Sequence, residues 1–417
     1  MKGRMQGQRV LLINAYSYRN AGDAAIMIAT RDLLTDLGAV EVALSSRYPD
    51  GDAYARHGIA VHGGLVPFPP RGNGGDAVRL LRAGRAMLGA VIVVLVARHF
   101  PRLTVAAARR LTPSALAIAG CYDVLAIAGG GYMYSSRRRL NLSLWQSLLT
   151  IRLGQALVPS SVMLPQSIGP IHTRLDAWLV SWALSRTAVV MRETVSLDRS
   201  RFRRSVRLRT SSVVPDVAFY GLRSLDEDSA SPHRAGPAKL VRIVVMDWRW
   251  SSSSSPGEFQ TYLDTIADIS DTLTRAGHHV VVGGHSSVAE QDQDDIAWAH
   301  EVSRRATGPV TVDEDTDVRH LWNAYRSADL VIGTRLHSCI MALAAGTPAI
   351  ALGYQQKSAG VMAQCGMQEC VFAVDDLDPR AIVERASELL YTERSRWSAL
   401  ADHTRSVLTA RYTALVS

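Results

Sequence analysis

Arg335 and His337 stand two positions apart just beyond a short apolar run, Leu330 to Ile332, that breaks at Gly333-Thr334. The run has the length and composition of a buried parallel strand. A helical pattern follows at once and stops at Gly346, with Pro348 beyond it, and Thr334 is the expected N-cap. A second strand, Ala349 to Leu352, leads on to Tyr354 and Lys357. The cation and the imidazole thus fall in the first turn of a helix that starts where a strand ends. Unpaired N–H groups favour an anion there, and open α/β sheets bind ligands at that edge. Arginine presents a planar fork to phosphate or carboxylate, and histidine titrates near neutrality. Anion binding coupled to proton transfer is the chemistry on offer. The bland alternatives are a carboxylate partner for Arg335 and a satisfied structural role for His337.

Polar or glycine-rich signals recur after other strands. Val10 to Ile13 is followed by a loop ending in Asn20-Ala21-Gly22-Asp23 and then by a helical run, Ala24 to Leu37. That loop lacks both GxGxxG and GxxxxGK[ST], so neither a dinucleotide site nor a P-loop is supported. Asn20, Gly22 and Asp23 either cap the helix or line a site. Val124 to Ala128 ends in Gly129-Gly130-Gly131, where backbone N–H groups can approach a ligand closely. Ser161 to Leu164 ends in Pro165-Gln166-Ser167-Ile168-Gly169-Pro170, and Ala188 to Met191 ends in Arg192-Glu193, with Ser196 beyond. Val213-Val214 leads to Pro215-Asp216, and Val280 to Val282 leads to Gly283-Gly284-His285. Arg192-Glu193 also reads as an ordinary surface ion pair, and His285 as a plain loop residue. No His, Asp or Glu cluster has metal-ligand spacing, so no metal and no cofactor is expected.

The elements that must position these residues alternate strand and helix over a chain of 417 residues, too long for one ordinary core. Two doubly wound, Rossmann-like α/β domains facing each other across a cleft, in the GT-B manner, are expected. Residues 1–221 form the first domain, and 222–239, rich in Ser, Pro and Gly, form a linker. Residues 240–395 form the second domain, and a terminal helix covers 396–417. The balance of 46 Lys and Arg against 38 Asp and Glu gives a net charge of +8. Neither an RNA-binding sheet motif nor a helix-turn-helix accompanies it, so nucleic acid is not an expected partner. Cys121, Cys339, Cys365 and Cys370 form no CxxC pair, and buried thiols in a reducing compartment are expected. Lys2 and Arg4 precede a strand-length apolar run, so no signal peptide is expected.

The insertion at about 65–111 is unusual. Ala86 to Ala97 carries no polar side chain, and Arg71, Arg79, Arg82, Arg85, Arg98, Arg102, Arg109 and Arg110 surround it. A bilayer needs about 20 apolar residues to be spanned. The stretch is therefore either a buried helix or strand with solvated basic flanks, or an insertion resting on an anionic membrane face through the 71–110 region. A loop of tryptophans and serines, Trp248 to Ser255, is the other unusual feature.

The ordered set of motifs resembles the polysaccharide pyruvyl transferase family. The matching residues are Asn20-Ala21-Gly22-Asp23, Gly129-Gly130-Gly131, Pro165 to Pro170, Arg192-Glu193 with Ser196, Pro215-Asp216 with Ala218-Phe219, and Arg335-Leu336-His337 with Gly346-Thr347-Pro348. The resemblance implies a GT-B-like enzyme that moves the pyruvyl group of phosphoenolpyruvate onto hydroxyls of a hexose, forming a ketal and releasing phosphate. The acceptor would be a glycolipid or cell-envelope polysaccharide, met in the cytoplasm or at the inner membrane face. By the same resemblance Arg335 and Arg192 hold the donor's phosphate and carboxylate and His337 moves a proton. Leu336, Ser338, His285 and Lys357 complete the donor side. Asn20, Gly22, Asp23, Gly129, Gly130, Gln166, Ser167, Glu193 and Asp216 bind the acceptor or line the cleft. Phosphoenolpyruvate carries close to three negative charges, which two arginines and a helix N-terminus suit. His337 is the favoured acid towards the methylene carbon, with Asp23, Glu193 or His285 as base. The alternative is a GT-B glycosyltransferase using a nucleotide sugar.

Overall fold

The apolar run that opens the chain forms β1 (Arg9–Ala15), and Val10 to Ile13 are wholly buried. A computed structural model of the chain describes residues 5–48, 50–67, 76–135, 141–194, 211–228, 237–249, 256–288, 293–354 and 356–416. Arg71, Ser196, Trp250 and Ser251 to Ser255 lie outside these. The chain divides into two compact units, one of residues 1–17, 30–216 and 411–417, the other of residues 18–29 and 217–410.

The first unit continues with β2 (Glu41–Ser46), β3 (Val61–Gly63), β4 (Val124–Ile127), β5 (Gly130–Met133), β6 (Ser160–Met163), β7 (Gln166–Ile168), β8 (Val189–Met191) and β9 (Ser211–Val213). One parallel sheet has the order β3-β2-β1-β4-β6, and a second has the order β5-β7-β8-β9. The chain winds outward from β1 and then crosses to β4, which makes β1/β4 a topological switch point. Pairing lapses at Ala128-Gly129 and at Leu164-Pro165 before resuming in β5 and β7. Pro165 has no N–H for a ladder, and Gly130 takes a φ of 120° that favours glycine.

The stretch 86–97 is part of a helix, Asp76–His99, that is buried on one face only. Ala90, Val93 and Val94 are buried in the first unit's core, whereas Leu88, Val91, Ile92 and Leu95 are exposed. The helix Thr104–Leu111 packs against it at Gly89, where an added Cβ would stand 3.1 Å from the Leu111 carbonyl.

The second unit holds β10 (Leu240–Val244), β11 (His279–Gly283), the antiparallel pair β12 (Ser287–Val288) and β13 (Gln293–Asp294), then β14 (Val310–Asp313), β15 (Leu330–Gly333), β16 (Ala349–Gly353) and β17 (Val371–Ala373). Its main sheet is parallel throughout, in the order β14-β11-β10-β15-β16-β17. By appearance in the chain this is the doubly wound order 3-2-1-4-5-6, with the switch point between β10 and β15. The strands read as continuous apolar runs because helices cover both faces. Val241, Ile243, Leu330, Val331 and Ile332 are fully buried, and each stabilises the unit by about 1.5–3 kcal/mol relative to exposure.

Three expectations need correction. Arg335, not Thr334, occupies the N-cap of the helix Leu336–Ala344, without a side-chain cap bond. Thr334 instead shares a 2.7 Å hydrogen bond with the buried Tyr262 hydroxyl. The terminal helix runs from Arg394 to Val416 and is no separate body, because 394–410 cluster with the second unit and 411–416 with the first. Within the first unit, Tyr412 Oη donates to the Met163 carbonyl at 3.3 Å, and Arg411 Nη1 to that of Val213 at 2.9 Å. Cys339, Cys365 and Cys370 are buried as expected, but Cys121 is exposed.

Candidate functional site

The carboxyl end of β15, at the switch point of the second unit, carries the densest group of polar side chains from the motifs. β15 delivers Arg335 to the helix start, and β11 delivers Gly283-Gly284-His285. Gly284 allows close approach, since a Cβ there would lie 2.8 Å from the Cβ of Asp295. Asp295 stands at the N-cap of the helix Ile296–Arg305 but makes no side-chain cap bond. Its carboxylate accepts from Arg335 instead, Nε to Oδ2 at 3.0 Å and Nη2 to Oδ1 at 2.7 Å, and from the His285 N–H at 3.1 Å. Arg335 is 9% exposed and Asp295 1%. Burial pulls the guanidinium's pKa down, but Asp295, Tyr354 and Asp23 together hold it above its ordinary value. Nη1 of Arg335 makes no hydrogen bond among the described residues, which leaves donors of a fixed fork for a ligand.

His285 is 1% exposed and shares a 2.9 Å hydrogen bond through Nδ1 with the Tyr325 hydroxyl. Its Nε2 is buried and has no partner among the described residues. Burial first, then the neighbouring His337 and Arg335, holds its pKa well below the usual histidine value, so the ring is neutral near pH 7.

Residues 19–21 run beside this group. Asn20 bridges Ser286 antiparallel, the Ala21 N–H donates to the His285 carbonyl at 3.0 Å, and that of Ser287 donates to Arg19 at 3.0 Å. Asn20 Oδ1 accepts from the N–H groups of Gly22 and Asp23 at 3.1 and 3.4 Å, capping the helix Ala21–Asp36. Gly22 then lies against His337, where an added Cβ would stand 2.7 Å from the ring's Nδ1. Asn20, Gly22 and Asp23 therefore belong with Arg335 and His337, in the second unit rather than the first. Leu336 and Ser338 are buried, and Ser338 Oγ donates to the Arg335 carbonyl at 2.6 Å, so both side chains serve the helix start. Lys357 Nζ lies 5.9 Å from the centre of the Tyr354 ring.

The first unit carries a second group. Arg192 donates through Nε to Ser167 Oγ and through Nη1 to Asp216 Oδ2, each at 2.6 Å. Arg192, Glu193 and Asp216 are each 1% exposed, so Arg192-Glu193 is no surface pair. Gln166 is wholly buried and pairs in register with Gly130, and both its amide atoms lack partners among the described residues. Gly129 is buried beside Gly130.

Sequence reasoning missed Asp295, Tyr325 and the Tyr262–Thr334 bond. An Asp-Asp pair opening a helix was the one available signal for Asp295, and it points to a cap rather than to an arginine 40 positions away. Among the described residues, no group of three or more His, Cys, Asp or Glu is arranged to hold a metal ion.

Two Rossmann-like α/β domains with polar loops at the carboxyl ends of parallel strands define a protein of the GT-B class. A glycosyltransferase from Rickettsia africae superposes with a TM-score of 0.53 at 10% identity, covering 98% of each chain. A UDP-GlcNAc 2-epimerase from Neisseria meningitidis does so with a TM-score of 0.53 at 9% identity, over 98% of this chain and 99% of that one. Identities this low establish the fold alone. The chain belongs to the polysaccharide pyruvyl transferase family, whose sequence pattern matches residues 20–356. The amylovoran biosynthesis protein AmsJ of Erwinia amylovora is 27% identical over 267 residues, which span 60% of this chain and 63% of AmsJ.

Proposed function

We propose that the chain transfers the pyruvyl group of phosphoenolpyruvate to two hydroxyls of a hexose in a glycolipid or cell-envelope polysaccharide. The observation that carries this reading is the group at the end of β15: a clamped arginine with a spare fork, a half-buried histidine and a neutral histidine with an unpartnered Nε2. In the first step a sugar hydroxyl adds to C2 of the enol ester while the methylene carbon takes a proton and becomes methyl. In the second, another hydroxyl displaces phosphate from C2, and its proton leaves with the phosphate or through the base. Both C–O bonds of the ketal are then made and the C–O bond to phosphate is broken, with no change in oxidation state.

Arg335 Nη1 anchors the donor's anionic end, Lys357 adds a second charge, and His337 supplies the proton to the methylene carbon. A neutral His285 suits the base that Asp23 would otherwise provide. Arg192, 1% exposed and paired with Asp216, orients Ser167 within the first unit. An acceptor carried on a lipid sets the reaction at the inner membrane face.

Calorimetry tests the donor. Phosphoenolpyruvate is expected to bind the full chain and to lose that binding in Arg335→Ala. Tighter binding of a uridine diphosphate than of phosphoenolpyruvate would instead favour nucleotide-sugar transfer, which the fold also accommodates.

A further inference from the structure

The helix Asp76–His99 presents apolar side chains on two opposite faces, and the first unit's core covers one of them. Ala83, Ala90, Val93 and Val94 are buried. Leu81, Leu88, Ile92 and Leu95 fall on a single opposite stripe at helical spacing, with exposures of 75, 61, 37 and 50%. Phe100, Leu103 and Val105, exposed by 62, 56 and 54%, follow at its C-terminal end and in the next turn of chain. Among the described residues, seven of the fifteen large apolar side chains that are exposed belong to this set, and an apolar face of this size marks a contact surface.

The charge around the stripe is one-sided. No Asp or Glu occurs between Asp76 and Asp123. Arg82, Arg85, Arg98, Arg102, Arg109 and Arg110 are all exposed, and none has a carboxylate partner among the described residues. A second group adjoins the helix end. Arg152 is only 5% exposed, its Nε has no partner among the described residues, and burial with Arg186 and Arg98 nearby pushes its pKa down to about 10. Its guanidinium lies 4.9 Å from the centre of the Trp182 ring, which stacks in parallel on Trp178 at 6.3 Å. Trp178 is 59% exposed, and Arg186 lines an open depression with Gln155, Ser160 and Ser161. Three like charges share this region with no counter-charge among the described residues, and a tryptophan at its edge suits a membrane interface.

We propose that this face of the first unit docks on an anionic phospholipid bilayer. The stripe from Leu81 to Leu95 enters the boundary between headgroups and acyl chains, and the arginines meet lipid phosphates. Arg98, Arg152 and Arg186 seat one headgroup phosphate. Among the described residues no helix is long and apolar enough to cross a membrane, so the contact is interfacial. A second copy of the chain is a poor occupant, because a two-fold contact would set these arginines against their own duplicates.

Sedimentation of the full chain with vesicles tests this. Phosphatidylcholine vesicles containing about one-third phosphatidylglycerol are expected to bind at least about tenfold more strongly than phosphatidylcholine alone, with the difference shrinking as salt rises. Leu88→Glu/Leu95→Glu should abolish binding to both. Arg98→Glu/Arg102→Glu, a second variant with the apolar stripe intact, should lose only the preference for anionic lipid. Equal binding to both vesicle types, no binding, or binding that survives Leu88→Glu/Leu95→Glu would overturn the proposal. So would self-association without lipid that the same leucine variant removes. Turnover of a soluble hexoside should be unchanged in the leucine variant, which keeps this outcome separate from that of the catalytic reading.

Discussion

Arg335 is the residue on which the proposed donor site turns, and Asp295 is what fixes it. The bidentate contact, 3.0 and 2.7 Å, makes the guanidinium plane a rigid part of the site. Arg335→Lys keeps a charge but loses the fork, so turnover is expected to fall roughly a hundredfold while the melting temperature changes little. Steady-state kinetics beside a thermal melt checks both. Asp295→Asn strands a buried cation and should destabilise the second unit by about 3–5 kcal/mol, read from the urea midpoint. His285 gives a pH signature. Its folded pKa lies below the unfolded value of 6.5, with His337 and Arg335 adding to burial against the charged form. The fold therefore favours the neutral ring. That stability is complete above the unfolded value and is lost as pH falls below it. Unfolding free energies between about pH 7.5 and pH 5 should decline less steeply in His285→Gln; parallel curves would contradict a neutral, buried ring.

The strand–helix joints set the spacing that those residues need. Gly22 is the sharpest case, because its missing side chain leaves room for the His337 ring, and a Cβ would come within 2.7 Å of Nδ1. Gly22→Ala should displace His337 and cut turnover about tenfold or more, with a melting temperature unchanged or slightly raised by better helix propensity. Unaltered kinetics would show that the histidine's position is immaterial. The joint after β15 was legible in advance from its apolar run, from Gly346 and Pro348, and from Arg335 and His337 themselves. Its N-cap was not. Thr334 has the right type for a cap, but the Tyr262 hydroxyl, 72 positions away, claims its oxygen. Asp295 likewise looks like a cap locally and serves an arginine through the fold. The helix Asp76–His99 was half legible: its apolar content implied burial, but an unbroken apolar run hides which face is packed.

At the scale of the whole molecule, alternating strands and helices were enough to read two Rossmann-like domains, since buried parallel strands announce themselves as short apolar runs. The way the chain divides was not readable. The helix Ala21–Asp36 is continuous, yet its first turns cluster with the second unit through Asn20, Ala21 and Gly22, and its remainder with the first. That grouping sets Asp23 beside Arg335 and His337. Residues 20–356 place the chain in the polysaccharide pyruvyl transferase family, while the proposed donor rests on the chemistry of the β15 group. Phosphate release from phosphoenolpyruvate, followed with glucosides, galactosides and mannosides in free and lipid-linked form, tests that claim most directly. One phosphate should appear for each ketal methyl group formed, only with an accepting hexoside, and not in Arg335→Ala. No release with any of these acceptors, or release undiminished by Arg335→Ala, would contradict it.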